Sequence, residues 1–268
     1  MKKLTIFIYG VGSYIAFLAT FLYAIGFIGN FAVPKSLDGP ESDSFQMALL
    51  IDLGLLSMFA LQHSIMARPA FKRLIKQIIP DAAERSTYVL ASSLALGLLF
   101  WQWQPLGGAV WSVDSLTGRI LLYAGYAFGW SLVLISTFVI NHFDLFGLRQ
   151  VWRQLGGRAE NKVPFVAPWL YRVVRHPLYV GWLFAFWSTP FMTVSHLLFA
   201  VMTTAYILVA IRLEEADLIA EHPQYSAYRK QVPMLIPRLT REVAFRPADL
   251  AVYSTADSLD HRQKQTVA

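Results

Sequence analysis

The heptapeptide RHPLYVG, residues 175–181, sets a guanidinium, an imidazole and a proline at the lip of an apolar run. Pro177 biases His176 away from the helical region and suits the first turn of a following helix. Free amides at such a helix start favour an anion, and Arg175 and His176 add donors at the same place. The triplet reads as a socket for a carboxylate or phosphate. A basic membrane anchor before a helix would account for the arginine but does not require His-Pro.

Three other clusters carry chemistry. In IRLEEADLIAEHPQYSAYRKQVPMLIP, residues 211–237, Arg212, Glu214, Glu215 and Asp217 follow an apolar run. Adjacent glutamates cannot share a helix face. One is expected to turn inward toward a cation or ribose hydroxyls, the other toward water or Arg212; a solvated charged face is the alternative. In INHFDLFGLRQ, residues 140–150, a frayed helix end would let Asp144 orient the His142 imidazole beside Asn141, a general-base arrangement. The plainer role for His142 there is capping helix carbonyls. In LQHSIMAR, residues 61–68, Gln62, His63 and Ser64 either meet substrate or hydrogen-bond between helices.

The elements that must position these residues follow from composition. Of 268 residues, 56% are hydrophobic and 15% charged, against about 45–50% and about 25% in soluble domains. Mean hydropathy is +0.45. With no cysteine, there is no disulfide framework, no thiolate nucleophile and no zinc–thiolate site, and no metal is expected. A crossing needs about 20 mainly apolar residues, and four segments qualify: 4–28, 45–66, 88–104 and 120–140. The first follows Met1-Lys2-Lys3 but is too long for a signal-peptide core, so it is read as a retained span. A fifth region, 178–211, is too long for one helix, and WSTP at 187–190 interrupts it. It is expected to form a hairpin whose first arm, only about 11 residues, packs inside the bundle or is re-entrant.

Charge distribution tests this plan. Arg68, Lys72, Arg73, Lys76 and Arg85 lie between spans two and three, and Arg149, Arg153, Arg158, Lys162, Arg172 and Arg175 follow span four. The other loops hold mainly Asp38, Glu41, Asp43 and Asp114. Positive-inside bias places both termini in the cytoplasm, and only a hairpin returns Arg229, Lys230 and Arg238 to that side. The +6 net charge is thus explained by orientation and anionic lipid rather than nucleic acid. The expected fold is an all-α polytopic membrane bundle with four spanning helices, a C-terminal helical hairpin and a cytoplasmic tail helix. It forms one domain over 1–240, its spans in 1–140 and its cofactor-binding region in 141–240, followed by a polar tail over 241–268.

RHPLYVG, the apolar hairpin, the EE pair and YSAYRKQVPMLIP resemble, in order, the C-terminal half of isoprenylcysteine carboxyl methyltransferases and phospholipid N-methyltransferases. QHSIMAR and NHFDLFGLRQVW extend the similarity, over most of the chain, to bacterial methanethiol S-methyltransferases of the NnrU-like branch. That resemblance implies a bacterial inner-membrane enzyme that transfers methyl from S-adenosylmethionine to a small volatile thiol, methanethiol, with hydrogen sulfide as a second acceptor. It implies cofactor contacts from Arg175, His176, Tyr179, Gly181, Arg212, Glu214 and Glu215, with Tyr225 and Tyr228 closing the pocket. Thiols react as thiolates, so His142 with Asp144 is the expected base, Arg175 or the sulfonium the anion stabiliser, and Gln62, His63 and Asn141 acceptor contacts. Other readings are a prenylcysteine or lipid acceptor, an NnrU-type transporter or structural component, or a haem protein ligated by His63 and His142.

Overall fold

The computed structural model describes residues 2–157, 169–222 and 224–238. In chain order the helices are α1 (Lys2–Gly29), α2 (Phe45–Ala67), α3 (Pro69–Ile75), α4 (Asp81–Gln102), α5 (Leu116–Ile140), α6 (His142–Leu145), α7 (Leu148–Leu155), α8 (Pro177–Trp187), α9 (Val194–Glu221) and α10 (Tyr225–Gln231). Two short strands, β1 (Ala109–Ser112) and β2 (Phe191–Thr193), pair antiparallel. Three long helices begin where a hydroxyl can take an orphan amide. Ser44 accepts from Met47 N, Ser115 from Gly118 N and Thr193 from His196 N.

Four helices, α1, α2, α5 and α9, are long and apolar enough to cross a bilayer. The protein is a polytopic all-α membrane bundle. The expected span at 88–104 lies in α4, which starts earlier, at Asp81. Its 22 residues give it the length, but Asp81 and Glu84 in the first turn and the buried Ser86, Ser92 and Ser93 dilute its apolar character. α4 lies against both α1 and α2.

Packing neighbours trace a ring: α1 on α4, α4 on α2, α2 on α9, α9 on α8 and α8 on α5. Tyr126 of α5 closes the ring by donating its hydroxyl to the Ile25 carbonyl of α1. Nearby, Phe21 meets Trp130 edge-on at 5.2 Å. Basic segments gather at one end of this ring. There Arg68 pairs with Asp217 at 2.9 Å, Arg85 Nε donates to Leu145 O at 2.8 Å, and α7 packs on α1 and α4. At the opposite end Asp38 is held by Asn30, Thr193 and His196.

The expected hairpin is present. α8 has 11 residues, which reach about 16 Å and cannot cross the hydrocarbon alone. The ribbon follows it directly and satisfies backbone groups that lipid cannot. Val113 N donates to Pro190 O at 2.8 Å, Val194 N to Gly108 O at 3.0 Å, and the Trp111 indole to Thr189 O at 3.1 Å. α8 presses most closely on α5. A Cβ at Gly181 would sit 2.8 Å from Gly129 O and from Val133 N, and one at Gly129 would sit 2.6 Å from Ala185 N. Small residues let two backbones approach in this way. Gly181, expected beside a cofactor, thus serves the α5–α8 crossing. The expected polar tail over 241–268 lies outside the described residues, as do Arg158 and Lys162 of the loop after α7.

Candidate active site

The socket read at Arg175–His176 is filled by the chain's own Glu215. That carboxylate is 3% exposed. Its Oε1 accepts from Arg175 Nε at 2.7 Å, from His176 Nε2 at 3.0 Å and from the Tyr225 hydroxyl at 3.4 Å. Oε2 meets Arg229 Nε at 3.0 Å. An ionised carboxylate only accepts, so His176 carries its proton on Nε2. Backbone pairing closes the knot: Arg175 N donates to Pro233 O at 2.8 Å and His176 N to Met234 O at 3.2 Å. Arg175 Nη1 also donates to the carbonyls of Arg229 and Val232. The start of α8, the end of α9 and the segment after α10 are therefore fastened at one buried charge. A buried pair needs its remaining donors satisfied in this way to offset desolvation.

Tyr225 and Tyr228 pack at 5.4 Å beneath the knot. Tyr228 donates to Tyr171 O. Burial pushes both α10 phenols well above the ordinary tyrosine range, and for Tyr225 the Glu215 charge adds to it. They are neutral hydroxyls that anchor the tail.

The neighbouring glutamate faces elsewhere. Glu214 is half-buried and its Oε2 accepts from the Tyr179 hydroxyl at 3.0 Å. Among the described residues no Lys, Arg or His stands within ion-pair distance of it. Tyr179 also lies within electrostatic reach of Tyr88 on α4 and Tyr206 on α9. These lead to the QHS cluster. Tyr88 OH is 2.8 Å from His63 Nε2, Ser92 Oγ is 3.1 Å from His63 Nδ1, and Ser64 donates to Tyr206 OH at 3.2 Å. Gln62 Nε2 reaches Met66 Sδ at 3.1 Å, and its Oε1 is buried without a partner. The bonds of this cluster join α2, α4 and α9. Arg212 is exposed on α9 and takes no part in the bonds of the knot.

His142 shares no hydrogen bond with either group, and Asp144 does not hold it. Thr137 Oγ1 is 2.9 Å from Nδ1 and Tyr14 OH is 2.9 Å from Nε2. Asp144 turns the other way, pairing with Arg149 at 3.2 Å, while Asn141 caps α6 by accepting from Asp144 N. Two residues apart, His142 and Asp144 point to different faces of even this short helix, and no fraying brings them together. The His142 ring stacks on Phe138 at 4.3 Å with a 6° tilt and lies 4.8 Å from Phe146. Burial holds its pKa below the ordinary histidine value. Both nitrogens of His63 and of His142 are engaged by hydroxyls, which is not the arrangement of a pair of axial haem ligands.

Of the residues expected at the site, Arg175, His176, Glu215, Tyr225 and Tyr228 converge, Tyr179 joins Glu214, and Gln62 with His63 forms a separate wall. Sequence reasoning misses Arg229, Tyr14, Thr137, Tyr88 and Tyr206. Arg229 is visible as the basic residue one helical turn after Tyr225. The others sit inside apolar spans with no local motif.

Over 238 residues the chain is 56% identical to the methanethiol S-methyltransferase of Crocosphaera subtropica, covering 88% of this chain and 93% of that protein. It is 49% identical to the methanethiol S-methyltransferase of Mycobacterium tuberculosis, covering 88% and 98%. It is also 30% identical to nurim of Xenopus laevis over 213 residues, or 76% and 72% of the two chains. No protein-family model and no solved structure matches the chain. At these identities and coverages, the chain belongs to the methanethiol S-methyltransferase family.

Proposed function

We propose that the protein moves a methyl group from S-adenosylmethionine to methanethiol, yielding dimethyl sulfide and S-adenosylhomocysteine, with hydrogen sulfide as a second acceptor. The similarity to methanethiol S-methyltransferases over 88% of the chain carries this reading, and the geometry supports it. A donor of this kind supplies an electrophilic methyl on a cationic sulfur. The residues present fit it. Glu214 offers a half-buried carboxylate with no cation of its own among the described residues, oriented by Tyr179. Trp182 meets Trp130 at 5.1 Å and Phe21 at 6.5 Å, giving aromatic surface that suits a sulfonium and a small thiol.

In this reading Arg175, His176, Glu215 and Arg229 position the pocket rather than touch the donor, since their polar atoms bind one another. Tyr225 and Tyr228 fix the tail over it. Arg175 has Nε and Nη1 committed to the knot, and the developing thiolate is stabilised by the sulfonium it attacks. His142, kept neutral by burial, is the base that is charged when the thiol is deprotonated. Gln62 and His63 line the α2–α4 wall. The basic end faces the cytoplasm of a bacterial inner membrane, where the donor is dissolved, while the acceptor arrives through lipid.

The test is direct. Membranes containing the chain are given methyl-labelled donor with methanethiol, a prenylcysteine or a phospholipid amine. Label recovered as dimethyl sulfide is expected; label in a non-volatile lipid product would overturn the acceptor. His142→Ala should lower turnover at neutral pH by about 10²-fold or more while leaving binding of S-adenosylhomocysteine nearly intact. Unchanged turnover would remove His142 from the mechanism.

A further inference from the structure

Hydrogen accounting at His142 decides which atom can meet the thiol. Thr137 has one hydroxyl hydrogen and gives it to Leu134 O at 2.7 Å. At 2.9 Å from His142 Nδ1, that oxygen can then only accept, so Nδ1 carries the ring proton. Nε2 is left with its lone pair, and Tyr14 OH, 2.9 Å away, supplies the hydrogen that fills it. Phe138 and Phe146 cover the imidazole. A thiol therefore meets the tyrosine first.

Depth along the bundle agrees. Tyr14 pairs with His142 and Ile25 with Tyr126, so α1 and α5 are antiparallel. Gly125 faces Ser188 and Gly181 faces Val133, so α5 and α8 are antiparallel, and α1 runs parallel to α8. Phe21 touches Trp182. Tyr14 precedes Phe21 by seven residues and His176 precedes Trp182 by six, a setback of roughly 10 Å in each helix. Tyr14 thus lies level with the start of α8, where Glu215 and Tyr179 are gathered.

We propose that Tyr14 is a catalytic residue, the hydroxyl that takes the proton from the acceptor thiol while passing its own to His142 Nε2. The proposal rests on thiol methylation as the activity. The S–H bond breaks and its proton moves to Tyr14 Oη. The Tyr14 O–H bond breaks and its proton moves to Nε2, leaving an imidazolium whose Nδ1–H still points to Thr137. The freed sulfur pair forms the new C–S bond, and the donor's old C–S pair returns to its sulfur as a thioether. The imidazolium later loses its proton to water. Thr137 is a positioning residue, fixing the tautomer.

The experiment compares full-length wild type with Tyr14→Phe, His142→Gln and the double variant in detergent. Dimethyl sulfide formation is followed by headspace gas chromatography, and S-adenosylhomocysteine binding by calorimetry. Tyr14→Phe should lower kcat/KM for methanethiol by about 10²-fold or more, in the range of general acid–base catalysis, with affinity for S-adenosylhomocysteine within about twofold. Its remaining rate should climb about tenfold per pH unit from pH 7 to 9, because it draws on thiolate formed in bulk water. The double variant should lose little more than His142→Gln alone, as members of one relay do. A Tyr14→Phe rate near wild type, a reduced rate with no pH dependence, or losses that multiply would each overturn the relay. If Tyr14→Phe fails to bind S-adenosylhomocysteine, Thr137→Val tests the same accounting. With Nδ1–H unpaired the tautomer is released and kcat/KM should fall at least about tenfold at unchanged affinity, and an unchanged rate refutes the relay. Wild type that makes no dimethyl sulfide sinks the activity itself, a different failure.

Discussion

Replacing Glu215 with Gln should loosen the pocket without touching the chemistry. The carboxylate is 3% exposed, and the Arg175 side chain on it is 9% exposed. Removing one member of such a buried pair costs about 3–5 kcal/mol, because the other charge is left uncompensated. Arg229 is discounted, since its side chain is 52% exposed and water replaces the lost partner. The substituted amide would still accept one bond from Arg175 Nε, which argues for the lower end, about 3 kcal/mol. That cost falls on docking of α10 and its following segment against α8, not on the packing of α1, α2, α4 and α5. If donor binding requires the docked tail, about 3 kcal/mol becomes roughly a 150-fold rise in Kd, at 1.36 kcal/mol per decade. Calorimetry with S-adenosylhomocysteine on detergent-solubilised protein reads this, and kcat at saturating donor should stay within a few-fold of wild type. Unchanged affinity with a collapsed kcat would refute the reasoning, since Glu215 would then act on the reacting groups.

Tyr179→Phe deletes one hydrogen bond to a carboxylate, worth about 1.5–3 kcal/mol, so KM for the donor should rise at least about tenfold with kcat little changed. A steady-state titration that leaves KM unmoved would free Glu214 of its orienting partner. Gly181→Ala places a methyl 2.8 Å from backbone atoms of α5, an overpacking that should cost about 1–3 kcal/mol and lower the thermal midpoint; a wild-type melt would contradict that crossing. For pH, burial holds His142 below its ordinary value of about 6.5. The folded protein keeps the neutral ring where the unfolded chain already binds a proton, so stability falls as pH drops below that value. Turnover should persist to lower pH than a free imidazole would allow, and an acid limb of kcat/KM centred above 6.5 would contradict the burial. Arg68→Ala breaks an ion pair whose side chains are 28% and 35% exposed, so stability should change by about 0.2–1 kcal/mol at most.

What is legible in the sequence is set by local rules. Apolar runs of bilayer length mark α1, α2 and α5, and Thr189-Pro190 breaks the last run where the chain turns. The short first arm and the inward turn of one glutamate follow from the 11-residue limit and from helix geometry. What is not legible depends on partners distant in the chain. Trp111 opposite Met192 across the ribbon has no local signature, because both sit among residues that read as loop and turn. Closeness in sequence suggests Asp144 as the partner of His142, yet the imidazole is held by Tyr14, 128 residues away, and by Thr137.

The same contrast explains why the cation-rich start of α8 resembles a ligand socket. Composition reveals that Arg175 and His176 need an acceptor, but not whether the acceptor belongs to the chain. In a bundle where lipid offers no hydrogen bonds, internal satisfaction is the more favourable solution for the side chains closest to the hydrocarbon. Glu215, on a different helix, meets that need for Arg175, His176 and Arg229 at once. Its neighbour Glu214, displaced by about 100° around α9, is the carboxylate left facing tyrosines rather than cations. The adjacent glutamates thus split their roles, one fastening the wall and the other remaining for whatever the wall encloses.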